Sequence, residues 1–227
     1  MKKQIILNLN DVIQTVNGEL TLKKFNHGID IGSRTSIINH LISKYNLSNY
    51  LEIGVRDGKN FNKINCVDKE AVDPQPTCEL KNLHIMDSDT FFKNNKKIYD
   101  LIFIDGLHLE YQVDKDIKNS LQSISDHGFI ILHDCNPPTE FHQREQYEVD
   151  GKFPSWNGTV WKSIVKYTST NKATNACVVN CDYGIGILRN PQNLKFNDKD
   201  KFSYHELKSN RKYILNLISV NEFLETF

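Results

Sequence analysis

Two apolar runs in the middle of this chain end on carboxylates. Tyr99-Asp100-Leu101-Ile102-Phe103-Ile104 leads into Asp105-Gly106, and Gly128-Phe129-Ile130-Ile131-Leu132 leads into His133-Asp134. Read as neighbouring buried strands, about 4.8 Å apart, they bring the two carboxylates within reach of one small cation. A cation there would lower the pKa of a hydroxyl group and orient a diol. Aspartates at strand ends also cap loops, and the spacing alone leaves both readings open. His108 follows Asp105 by three residues, and His133 adjoins Asp134. An imidazole titrates near neutrality, so either is a candidate general base, and His133 is also a candidate metal ligand. Asp105 joins them as a candidate catalytic residue. A third stretch, Tyr50-Leu51-Glu52-Ile53-Gly54-Val55-Arg56-Asp57-Gly58, runs from a strand through a glycine turn into a helix start. Gly54 allows the sharp turn and Gly58 keeps the next helix close. Glu52 at the mouth of that turn repels a pyrophosphate and favours a cationic ligand.

The elements that must carry these groups alternate along the chain. Ser33-Arg34-Thr35-Ser36 caps a helix with the stripe Ile37, Ile38, Leu41, Ile42 and Tyr45. Strand Asn49 to Ile53 comes next, then a short helix from about Lys59, then strand Glu70 to Pro74, which the proline ends. Asp73 lies about twenty residues past the glycine turn, where an acidic side chain binds ribose hydroxyls in nucleotide-binding α/β folds. It is also a turn aspartate before a proline. Leu83 to Met86 reads as a third strand, and Ser88 or Asp89 as the cap of the helix after it. Glu110 to Ile124 reads as a helix with Val113, Ile117, Leu121 and Ile124 on one face.

Residues 139–157 form a long polar stretch with Tyr147, Phe153 and Trp156, the composition of a lid over a substrate. A helix runs from Trp156 to about Tyr167, and Ala176–Val179 and Gly184–Leu188 form a hairpin. A polar linker leads to a last helix striped by Leu207, Tyr213 or Ile214, Leu217 and Ile218. The expected organisation is one domain over residues 1–227. Residues 1–45 are an N-terminal helical cap or dimer arm, 46–190 a cofactor-binding core, and 191–227 a linker and C-terminal helix.

Composition narrows the function. Lys plus Arg and Asp plus Glu are both 28, so the net charge is zero and no global basic field is available for nucleic acid. No apolar run is long enough to span a bilayer, and the N-terminus turns polar too soon for a signal peptide. Five cysteines without a C-x-x-C pattern suit a reduced, cytoplasmic setting.

Taken in order, Tyr50–Gly58, Ala71-Val-Asp-Pro74, Ser88-Asp-Thr-Phe-Phe92, Ile102-Phe-Ile-Asp-Gly-Leu-His108, Ile131-Leu-His-Asp134 and Gly158-Thr-Val-Trp-Lys162 resemble the class I S-adenosylmethionine-dependent methyltransferases. The resemblance is to a branch related to the macrocin O-methyltransferases and the cephalosporin hydroxylase-like proteins, and it covers about residues 34–190. It implies an α/β, Rossmann-like, seven-stranded and mostly parallel sheet, its last strand antiparallel and helices on both faces. It implies that Glu52, Gly54 and Gly58 hold the methionine part of S-adenosylmethionine and Asp73 the ribose. Ser88 and Asp89 would lie near the adenine, and Asp105 would adjoin the cofactor. In metal-dependent relatives the positions of Asp105 and Asp134 bind magnesium. His133 departs from the oxygen donors usual there, and Cys135 stands where catechol-type enzymes have asparagine, so magnesium and another divalent cation are both open.

The expected reaction is O-methylation of a small-molecule acceptor, a sugar or phenolic hydroxyl, and a homodimer is one assembly open to the protein. A metal-free methyltransferase and a non-catalytic S-adenosylmethionine-binding domain are the alternatives. Glu52 and the missing third loop glycine disfavour a nicotinamide-dependent oxidoreductase.

Overall fold

The computed structural model describes residues 12–16, 19–23, 32–147 and 155–227. Strands β1 (Val12–Val16) and β2 (Glu19–Lys23) pair antiparallel. Of residues 1–45, expected as a helical cap or dimer arm, the described parts are this strand pair and residues 32–45, which include the helix Arg34–Tyr45; the rest lies outside the described residues.

Helix α1 (Arg34–Tyr45) starts on a capping box in which Ser33 and Ser36 satisfy each other's backbone donors. It buries Ile37, Ile38, Leu41 and Ile42 and ends at Asn46 in the left-handed region. Then follow β3 (Asn49–Ile53), α2 (Lys59–Lys63), β4 (Asp68–Val72), β5 (Leu83–His84), α3 (Ser88–Asn94), β6 (Tyr99–Ile104), α4 (Glu110–Ser120) and β7 (Ile124–Leu132). After the long connection come α5 (Val160–Thr168), β8 (Ala176–Val179), β9 (Ile185–Arg189), α6 (Tyr204–Ile214), β10 (Leu217–Ile218) and α7 (Val220–Thr226).

The main sheet has the order β10-β8-β9-β7-β6-β3-β4-β5, and β9 alone runs against the others. Side-chain alternation sends Leu51, Ile53, Ile102, Ile104, Ile130 and Leu132 into a core with α4, α5 and α6. Tyr50, Leu101, Phe103, Phe129 and Ile131 enter the opposite core with α1, α2 and α7. Because helices cover both faces, the central strands read as continuous apolar runs. The chain proceeds outward from β3 through β4 and β5, then crosses back to β6 and β7. The order therefore reverses between β3 and β6, and the crevice beyond their carboxyl ends is where such sheets bind ligands.

Four expectations are corrected. The sheet has eight strands, because Leu217 and Ile218 leave the expected C-terminal helix and pair with Val178 and Val179 as β10. The helix ends at Ile214, and a further helix, α7, follows. Ile124 opens β7 instead of closing α4, which ends at Ser120. The cap of α3 is Asp87, whose carboxylate accepts the Thr90 N–H at 2.7 Å; Ser88 and Asp89 sit inside the first turn.

Candidate active site

Parallel register sets Ile53 beside Ile104, and the Asp105 N–H donates to the Ile53 carbonyl at 2.8 Å. The glycine turn and the Asp105 turn are thereby pressed together. Gly54 has φ +84°, and a Cβ there would lie 2.1 Å from the Asp105 carbonyl oxygen. Only glycine fits, and the neighbour that forbids a side chain is backbone. Gly58, at φ +72°, begins α2 and leads the chain back over Glu52.

Glu52 is buried, and the Tyr50 hydroxyl and the Asn60 amide both donate to its Oε2, at 2.6 and 3.0 Å. Thr35 of α1 holds Asn60 in turn, at 2.7 Å. Burial pushes the Glu52 carboxyl up to about 8, against the pull of these two donors. Asp73 accepts the N–H of Arg56 in the glycine turn and of Gln75 in its own turn, each at 2.8 Å. It thus ties the two loops on that side of the crevice. Ser88 points its hydroxyl at the buried Asp116, at 2.6 Å, and Asp89 pairs with Lys115 at 3.1 Å.

The strand-end aspartates meet as the sequence suggests. Asp105 Oδ1 lies 3.3 Å from His108 Nε2 and 3.1 Å from His133 Nδ1. Asp134 Oδ2 lies 3.2 Å from His108 Nδ1 and 3.0 Å from His133 Nδ1. Asp134 is held at φ +61°, a strained conformation for a non-glycine residue. Asp105, His108 and Asp134 each offer a ligand atom, all within 4.8 Å of one another. The expected third ligand, His133, lies deeper. Its Nδ1 is shared by both aspartates, and its Nε2 stands 3.4 Å from Asp182 Oδ1, outside hydrogen-bonding geometry.

Sequence reading missed Arg34, Asp182 and Asn157. Arg34 donates from Nε, Nη2 and its backbone N–H to Asp182, at 2.9, 3.2 and 2.9 Å, and from Nη1 to Asp105 Oδ2 at 2.6 Å. Asn157, fully buried, donates to Asp134 Oδ1 at 2.8 Å. Arg34 and Asp182 are 148 residues apart, and no local pattern links them.

Charge is balanced inside the cluster. Three carboxylates (Asp105, Asp134, Asp182) face one guanidinium and two imidazoles. Burial disfavours charge on Arg34, Asp105, Asp182, His108 and His133, but their partners outweigh it. His133 is drawn well above the usual histidine range by Asp134 and Asp105, and His108 is raised by the same pair. Asp105 is held well below the carboxylate range by His133 and Arg34, and Asp182 is lowered by His133 and Arg34.

Residues 54–135, from the glycine turn through the second aspartate, match the family described as "Methyltransferase domain". The matched stretch is about a third of the chain, and over it the chain is similar to a methyltransferase domain. Solved structures similar to it include the O-methyltransferase TomG from Streptomyces achromogenes, involved in tomaymycin synthesis and in complex with SAM. That match has 9% identity, 45% of this chain and 55% of that one, and TM-score 0.38. The N-methyltransferase NodS from Bradyrhizobium japonicum, with S-adenosyl-L-homocysteine, is 16% identical over 44% and 62% of the two chains, TM-score 0.35. A Klebsiella pneumoniae protein assigned as a candidate O-methyltransferase is 12% identical over 72% and 80%, TM-score 0.46. The chain thus spans less than two thirds of the first two. No curated protein sequence matches it. The matched stretch spans the point where the strand order reverses.

The crevice has donor groups that suit both a cationic cofactor and a metal cation. For the cofactor, both protein donors to Glu52 take Oε2, and among the described residues none bonds to Oε1. That oxygen is available to a cationic ligand. For a cation, His108 Nδ1 lies 3.0 Å from the Trp156 carbonyl, which fixes Nδ1 as the protonated nitrogen. In the neutral ring Nε2 then carries its lone pair toward Asp105, the usual arrangement behind a ligating histidine. Two carboxylates and one imidazole suit manganese, iron or zinc better than magnesium.

Proposed function

We propose that this methyltransferase domain is an O-methyltransferase acting on a hydroxyl of a sugar or other small molecule, with a divalent cation held by Asp105, His108 and Asp134. The observation that carries the reading is the meeting of those three side chains at the strand tips, one residue step from the glycine turn. S-adenosylmethionine supplies an already activated methyl group, so the protein's task is to align an oxygen with it. Glu52 takes the cationic end of the donor, Asp73 the ribose, and the Ser88–Asp89 turn the adenine side. Asp105 and Asp134 face the acceptor hydroxyl, where a cation would lower its pKa. With His108 on the cation, His133 behind it receives the proton; in a metal-free site His108 is the base. The carboxylates around them bias both rings toward the charged form, so a ring must lose its proton before it serves as base. Trp156, stacked on His108 with ring centroids 5.1 Å apart, offers an apolar face to a sugar or phenolic ring.

One observation favours a second, metal-free reading: Arg34, His108 and His133 already balance the three carboxylates. Methyl transfer from labelled S-adenosylmethionine to a panel of sugar and phenol acceptors, with and without chelator, separates the two. The expected outcome is turnover that chelation abolishes and manganese restores. In Asp105→Asn, turnover is lost while S-adenosylhomocysteine still binds. Full turnover in that variant would remove Asp105 from the reaction. Turnover that survives exhaustive chelation would establish the metal-free form.

A further inference from the structure

The stretch Trp156–Thr159 packs against the loop after β6 and the Asp134 turn after β7. Gly158, at φ +56°, packs so closely that a Cβ would lie 1.9 Å from the His108 carbonyl oxygen. That carbonyl accepts the Thr159 N–H at 2.8 Å, and the Thr159 hydroxyl accepts the Glu110 N–H at 2.7 Å. The Trp156 carbonyl takes the His108 Nδ1 proton. Within this grip Asn157 is 1% exposed. Its Nδ2 donates to Asp134 Oδ1 at 2.8 Å and stands 3.5 Å from the carbonyls of Asp134 and Tyr183. Three oxygens around one end of the amide identify that end as the nitrogen. Its Oδ1 is buried and accepts nothing.

A buried polar atom without a partner is costly, and an apolar side chain of the same shape would avoid the cost. Asn157 incurs it while holding a carboxylate whose own backbone is in the strained left-handed region. We infer that Asn157 is the positioning residue for Asp134. It fixes the carboxylate against His108 and Asp105, so that the cation-binding set is assembled before any ligand arrives. This rests on the cation reading proposed above.

The test is manganese binding, followed by electron paramagnetic resonance, beside S-adenosylhomocysteine binding by calorimetry. The proteins are the full chain and its Asn157→Leu and Asn157→Ala variants; alanine can only leave a hole if leucine is not accommodated. Loss of such an outer partner typically weakens metal affinity by about 10–100-fold. The expected result is that weakening for manganese, with S-adenosylhomocysteine affinity within about threefold of the unsubstituted chain. Unchanged manganese affinity in a variant that still binds S-adenosylhomocysteine would overturn the inference and leave the cation reading standing. Loss of both ligands in both variants would overturn it in favour of a purely structural role. If the unsubstituted chain binds no manganese, the cation reading fails and the inference with it.

Discussion

Arg34 reads in the sequence as one residue of a helix start, and in the structure it joins α1 to two strand-end loops. Its guanidinium satisfies Asp182 side-on and Asp105 end-on, with 28% of its side chain exposed. Removing one member of a buried ion pair typically costs 3–5 kcal/mol. With a quarter of this side chain in solvent, Arg34→Met is expected to cost about 2–3 kcal/mol in urea unfolding, and Arg34→Lys less. A cost below about 1 kcal/mol would show that His133 and solvent satisfy the aspartates without it.

Glu52 gives a second prediction at the same scale. Its carboxyl is raised to about 8 from an ordinary value near 4.5, so the folded chain prefers it neutral. Its contribution to stability is therefore fully present below about pH 4.5 and is lost as pH rises through about 8. A cationic ligand prefers the carboxylate, so donor affinity moves the other way and rises over the same interval. Glu52→Gln should flatten both dependences, in ligand-free melting temperature and in S-adenosylmethionine calorimetry. Parallel slopes in variant and parent would place the titrating group elsewhere.

Among the elements, the turns after β3 and β6 act as one unit. The Ile53–Ile104 register and the Asp105 N–H bond to Ile53 leave no room for a Cβ at Gly54. Gly54→Ala combines a backbone clash with positive φ, and a cost above about 3 kcal/mol is expected. The loss should appear together in chemical denaturation and in S-adenosylhomocysteine binding. A stable variant that binds normally would show that the two turns can part. Gly58→Ala is the milder comparison, because its Cβ would meet the Cys78 sulfur at 3.2 Å, a side chain able to move. The β8–β9 turn contributes in the same way by presenting Asp182, at φ +43°, across the tip of the sheet to Arg34.

For the molecule as a whole, the C-terminal segment belongs to the core. Leu207, Leu215, Phe223 and Phe227 are fully buried, and they divide between the two faces of the sheet. Asn216, at φ +45°, turns the chain from α6 into β10 and donates to the carbonyls of Thr168, Asn171 and Ala176 at 2.8, 2.8 and 3.0 Å. Phe223→Ala is expected to cost about 3–5 kcal/mol, far from any ligand contact. Denaturant unfolding reads this directly; a cost under about 1 kcal/mol would make α7 an appendage.

The sequence by itself determined the alternation of strands and helices, the glycine turn, and the two carboxylates at the ends of apolar runs. Those signals are local, because burial on both faces of a strand demands an unbroken apolar run and a tight turn demands glycine. It also placed His108 and Asp105 close together, since three residues of loop cannot separate them far. The breaks near Ile124 and Leu217 were not legible, because an apolar residue at a helix end and one opening a strand look alike in a one-dimensional pattern. Arg34, Asp182 and Asn157 were also invisible there, as was the depth that sets His133 behind His108. Each depends on which loops the sheet order brings to its carboxyl edge, and on the field of charges gathered there. Only the tertiary structure decides that, because contacts across more than a hundred residues have no spacing to read.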